Sequence, residues 1–121
     1  MPTLSQKQVN NRAAELLENI AVAFMIPRAW ARGAMARDAA GNEAEYYEDK
    51  ACSFCSLGAL HAARRDLNLP AQVQYTAQNA LQRVIDQNPR LLHNDIAGFN
   101  DASRDKYRVI EAFQTAAASL R

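Results

Sequence analysis

Three stretches of this chain repeat apolar residues at intervals of three and four, and that spacing commits most of the fold to helix. In the first, Val9, Ala13, Leu16, Ile20 and Phe24 share one face. Ser5 and Gln8 stand ahead of it in the capping-box arrangement, in which two side chains satisfy orphan backbone amides reciprocally, and Pro27 closes it. The second stretch runs over roughly 71–85 on Val73, Ala77, Leu81 and Val84, with Asn88 and Pro89 as its stop. In the third, Val109, Phe113, Ala116 and Leu120 make the stripe, with Ser103 or Asp101 as the expected cap.

Between the first two stretches the periodicity breaks. The run from Arg28 to Arg37 has no single stripe and contains Gly33. Asp38-Ala39-Ala40-Gly41-Asn42 reads as a turn, because Asp bonds nearby amides and Gly supplies positive φ. Tyr46 and Tyr47 then read as a short strand, so a small β-hairpin or irregular segment is expected near residues 30–47. A further helix is expected from about Asp49 to Leu67, carrying Phe54, Cys55, Leu57, Gly58, Ala59 and Ala62. Gly58 in its middle implies that another backbone comes close. Leu91 and Leu92 are read as sealing a connection to Ile96, and Gly98-Phe99-Asn100-Asp101 as a turn. The expectation is a mainly α fold: a compact bundle of about four helices, one domain over residues 1–121.

Composition narrows the function classes. Much of the apolar content is alanine, which suits close helix packing, and aromatics are few enough that each should anchor a contact. A formal net charge of +1, with the arginines dispersed, argues against nucleic acid and against an anionic membrane surface as partners. The first residues lack the apolar core of a signal peptide, and no apolar run is long enough to span a bilayer, so a cytoplasmic protein is expected. Two cysteines are too few for a disulfide scaffold.

Three fragments carry a resemblance. They are Trp30-Ala31-Arg32-Gly33-Ala34 followed by Asp38-Ala39-Ala40-Gly41, then Phe54-Cys55-Ser56-Leu57-Gly58-Ala59-Leu60, then Phe99-Asn100-Asp101 ahead of Val109-Ile110-Glu111-Ala112-Phe113. In order and spacing the chain resembles a family of small bacterial and phage proteins built on a domain of unknown function. That family shows Trp-x-x-Gly, Asp-x-x-Gly, Cys-x-x-Gly-Ala-Leu and aromatic-Asn-Asp motifs. Phe99 stands where Trp is more usual. The resemblance implies positions of interest and no activity.

The candidate chemistry centres on few residues. Cys52 and Cys55 fall near an expected helix start, where the dipole and free amides stabilise a thiolate. No strand-first βαβ unit accompanies them, and a buried core thiol is the preferred reading of Cys55. Were Cys55 a nucleophile, His93 would be its candidate base, since His61, six residues on, points about 120° away along a helix. Zinc bound by Cys52, Cys55, His61 and His93 lacks the second close-spaced pair such sites use, so neither a metal nor a cofactor is implied. Asp38, Asn100 and Asp101 read most simply as turn and cap residues. The functional alternative places them in one polar pocket beside Trp30, with Arg32 or Arg37 holding an anionic group. The preferred class is thus a small binding or interaction module, such as a phage accessory protein, taking a host protein or small polar ligand. The alternative is a thiol-dependent hydrolase or transferase using Cys55. Oligomeric state is not legible.

Overall fold

A computed structural model of the chain describes residues 3–88 and 95–121. The first helix, α1 (Gln6–Phe24), starts on the expected box: Ser5 Oγ accepts from Gln8 N–H at 3.1 Å and Ser5 N–H donates to Gln8 Oε1 at 2.8 Å. All five residues of its apolar stripe are buried. Pro27 follows the helix, and Arg28 then takes a left-handed φ of 65°. The hairpin comes next, with β1 (Ala36–Arg37) and β2 (Glu43–Ala44) antiparallel across the Asp38–Asn42 turn. Asp38 Oδ1 accepts from Ala40 and Asn42 N–H, and Gly41 takes the positive φ the turn requires. A third strand, β3 (Ser53–Phe54), pairs antiparallel with the free edge of β1, which gives the order β2-β1-β3. The chain continues as α2 (Ser56–Asp66), α3 (Ala71–Gln87), α4 (Ile96–Ala102) and α5 (Lys106–Ser119).

The protein is therefore mainly helical with a small antiparallel sheet, as expected, and it differs in four local respects. Gly98 to Asp101 lie inside the short helix α4 rather than in a turn, so five helices are present among the described residues. Asp95 caps α4, which leaves Asp105 to cap α5 through the N–H groups of Tyr107 and Arg108. Tyr46 and Tyr47 sit in a turn beyond β2 rather than in a strand. Finally, α2 begins at Ser56, because residues 52–55 are drawn into the sheet: Cys52 N–H donates to Arg37 O and Cys55 N–H to Met35 O. The expected roles of Leu91, Leu92 and His93 lie outside the described residues.

The three long helices α1, α3 and α5 pack on one another and enclose most of the core, with Phe24 and Phe113 edge-to-face at 5.7 Å. The shorter α2 and α4 close its end, and the sheet lies against the start of α2. Gly58 makes that last contact possible. A Cβ there would fall 2.0 Å from Met35 O, so the β1 approach needs a residue without one.

Candidate functional site

The residues singled out around Trp30 do meet, and they meet on Asn100. The segment that follows α1 runs parallel beside β3, with Phe54 N–H donating to Ala29 O and Ala31 N–H to Phe54 O, and this fixes Trp30 over the end of α2. That end is the helix start, where the Trp30 indole Nε1–H donates to Asn100 Oδ1 at 2.7 Å. The same oxygen accepts from Ser56 N–H at 2.9 Å and Ser56 Oγ–H at 2.8 Å. Asn100 Nδ2 donates to Ala31 O and to Asp101 Oδ1. That carboxylate also receives Gly33 N–H, while the Arg32 guanidinium packs over the Trp30 ring and donates to Ser103 O. Asn100 is fully buried. The cluster thus joins three pieces of chain that are distant in sequence, using a side-chain amide that both accepts and donates without charge. Among the described residues no buried side-chain nitrogen or oxygen lacks a partner, so Asn100 has no polar capacity turned toward a ligand. Asp38 does not join this cluster. It bonds its own hairpin turn, and Arg37 braces the strand by donating to Arg32 O and Gly41 O.

The two cysteines have separate environments. Cys55 is buried as the N-cap of α2, its Sγ accepting from Gly58 N–H at 3.3 Å and touching Met35 Sδ at 4.0 Å. Burial pushes its thiol pKa up, and the amide contacts at the helix start pull the other way without prevailing. Cys52 is exposed. Extended chain rises about 3.3 Å per residue, so these cysteines stand about 10 Å apart along β3, beyond the Cα separation a disulfide can bridge. No three His, Cys, Asp or Glu residues cluster as a metal site among the described residues.

Cys52 instead helps to line an open, mainly apolar groove of about 230 Å³ between the C-terminal half of α1 and the face of α2 that carries Ala59, Ala62 and Ala63. Ile20, Ala23 and Ile26 form one wall, and Ala59, Ala62 and Ala63 the other. Ala29 and Phe54 also line it, and Asn19 and Asp66 supply its polar groups. The α2 wall is flat because its residues at 59, 62, 63 and 66 recur at helical spacing and three of them are alanine. Val22 near the end of α1, and Met25 and Ile26 just after it, are 69%, 53% and 60% exposed, Ile26 being part of the groove wall.

Residues 2–119 match a family of unknown function, DUF6197. The chain belongs to that family. No curated protein and no solved structure matches it. The match spans the bundle, the sheet and the Asn100 cluster alike, so the DUF6197 unit includes α1 as well as the later fragments. Of the residues that the pocket alternative grouped beside Trp30, this DUF6197 chain brings Arg32, Asn100 and Asp101 together and leaves Asp38 in its own turn. Sequence reasoning did not find Ser56, the fourth partner of Asn100, whose burial follows only from Asn100 lying beside the start of α2. The groove was also missed, although the alanine spacing in α2 and the excess of apolar residues near the end of α1 were visible signals.

Proposed function

We propose that this protein is a small binding module that receives one apolar side chain of a partner protein in the groove between α1 and α2. The observation that carries the proposal is the groove's character and size. It is apolar, open, and at about 230 Å³ smaller than the roughly 300–1,000 Å³ of sites built for whole small molecules. A single aromatic or aliphatic anchor suits such a volume, and anchors of that kind dominate protein interfaces. Exposed Val22 and Met25, next along the chain to the lining residues Ala23 and Ile26, add apolar surface near the groove. A small polar ligand is the weaker reading, because the polar residues near Trp30 are spent on one another. The thiol-enzyme reading of Cys55 is weaker still, given a buried thiol with a raised pKa. Action in the cytoplasm of a bacterium, or as a phage accessory factor there, belongs to the same proposal and rests on the resemblance described above.

The test uses N-acetyl-phenylalanine amide as a stand-in for the anchor. In methyl NMR it should shift Ala23, Ala59, Ala62 and Ala63. Ala63→Leu, which fills the groove from a half-buried position, should abolish those shifts and leave the circular dichroism unchanged. Unaltered binding by a folded Ala63→Leu variant, or shifts confined to other surfaces, would overturn the proposal.

A further inference from the structure

We propose that His61 is a proton-operated latch, its neutral ring holding the 45–51 segment against α2 and its protonation releasing that segment. His61 takes no part in the Asn100 cluster or in the groove. It is half-buried on α2, between the turn after β2 and the helix α3. On one side its ring stacks on Tyr46, with centroids 5.1 Å apart and planes 23° from parallel. On the other its Nδ1 lies 3.0 Å from Gln74 Nε2. Gln74 is buried, and the same Nε2 donates to Gln78 Oε1 at 2.6 Å. With both amide hydrogens so placed, Nδ1 accepts, and the ring is neutral with its proton on Nε2.

A second proton has to go on Nδ1, where it meets an N–H donor. The hydrogen bond is lost, and recovering it requires Gln74 and Gln78 to turn over together. The charged groups nearby do not compensate. On α2 itself Arg64 adds positive charge, and Arg65 is committed to Tyr47 O at 2.9 Å. In the segment, the Glu48 carboxylate accepts from Glu45 N–H and faces Lys50, and Tyr46 presents only its phenol ring. From α3 the contacts are the uncharged Gln74 and Gln78. Burial first, and Arg64 second, hold the His61 pKa below its ordinary value. A group whose charged form is disfavoured in the closed arrangement must, by linkage, favour the open one when it is protonated.

The local hydrogen bonds supply the readout. Glu48 N–H donates to Glu45 O and Ala51 N–H to Glu48 O, both at 3.0 Å and both within the segment, so their exchange reports whether it keeps the ordered turns it has when seated. After correction for intrinsic exchange, protection of these two amides should fall about tenfold between roughly pH 7.5 and roughly pH 5, the factor for losing one net hydrogen bond. In His61→Gln, which cannot titrate, it should stay flat. The His61 ring titration, followed by NMR in the unmodified protein, should share its midpoint with the loss of protection. Constant protection overturns the proposal. So does rising protection, which would mean that the imidazolium binds the Tyr46 face more tightly as a cation–π pair. An unshared midpoint, or an unchanged pH response in His61→Gln, overturns it as well. Should His61→Gln fail to fold, the coincidence of midpoints in the unmodified protein decides alone.

Discussion

At Asn100 one oxygen receives three donors and one nitrogen serves two acceptors, so the choice of amide over carboxylate is dictated by chemistry rather than size. Asn100→Asp keeps the shape and the three accepted bonds but turns an oxygen toward Ala31 O and Asp101 Oδ1. It also buries a charge with no cation bonded to it, so about 3–5 kcal/mol of stability should be lost in denaturant unfolding at neutral pH. Part should return in acid, where a protonated carboxyl can donate to Ala31 O. Ser56→Ala removes one donor of three and should cost only about 1 kcal/mol. Equal losses in the two variants would show that Asn100 is not the organising residue. The thiols give a second residue-scale test. Cys52 should alkylate readily with iodoacetamide in the folded protein while Cys55 stays unlabelled until unfolding, and mass spectrometry without reductant should find both as free thiols. Rapid labelling of Cys55 would favour the thiol-enzyme reading. These roles were half legible: Trp30, Asn100 and Asp101 stand out by type, yet only the fold shows that they satisfy one another.

Among the elements, α2 depends most on its neighbours. Its N-terminus is set by the sheet, since Cys55 N–H is given to Met35 O and the Cys55 sulfur then caps the first turn. Gly58 lets that strand approach. Gly58→Ala places its Cβ against backbone, which cannot rotate away as a flexible side chain would, so the loss should reach at least the upper part of the roughly 1–3 kcal/mol typical of overpacking. Thermal melting measures it, and Gly41→Ala, which meets open space and suffers only the strain of its φ, is the control. A Gly58→Ala protein as stable as Gly41→Ala would mean that β1 does not sit on α2. In contrast α1 was legible to its cap, because box, stripe and stop are all local. The start of α2 was not, because its boundary is decided by pairing with residues some twenty positions earlier. The same reasoning covers α4, whose seven residues are too few to show a helical period.

Among the described residues α1, α3 and α5 pack most extensively on one another, whereas the groove lies between the C-terminal half of α1 and α2. His61 links the global stability to pH. Its folded pKa lies below the ordinary value of about 6.5, so below that pH the unfolded chain binds the proton more readily and stability falls as pH drops. Above it both states are neutral and the effect vanishes. Chemical denaturation of the parent and His61→Gln proteins over roughly pH 5–8 should show a steeper acid-side loss in the parent. Matching slopes would remove His61 as the cause. Cys55 acts at the other end. With its folded pKa raised, the stability contributed by keeping the thiol neutral is present below the unfolded value and is lost as pH rises through the alkaline range.

The helical bundle, the cap of α1, the Asp38 turn and the need for a close backbone at Gly58 were all determined by the sequence itself. The helical periods, the cap and the turn depend on residues within a few positions of one another, and Gly58 signals a close approach by its type without naming the backbone that makes it. Tertiary structure decided the rest. It drew Cys52 to Cys55 out of helix and into a third strand, it made a helix of Gly98 to Asp101, and it turned Asn100 inward on Trp30, Ala31, Ser56 and Asp101. It also left the alanine face of α2 open as a groove. Backbone pairing and polar satisfaction between segments up to seventy residues apart set these features, and no local pattern encodes which distant group will arrive.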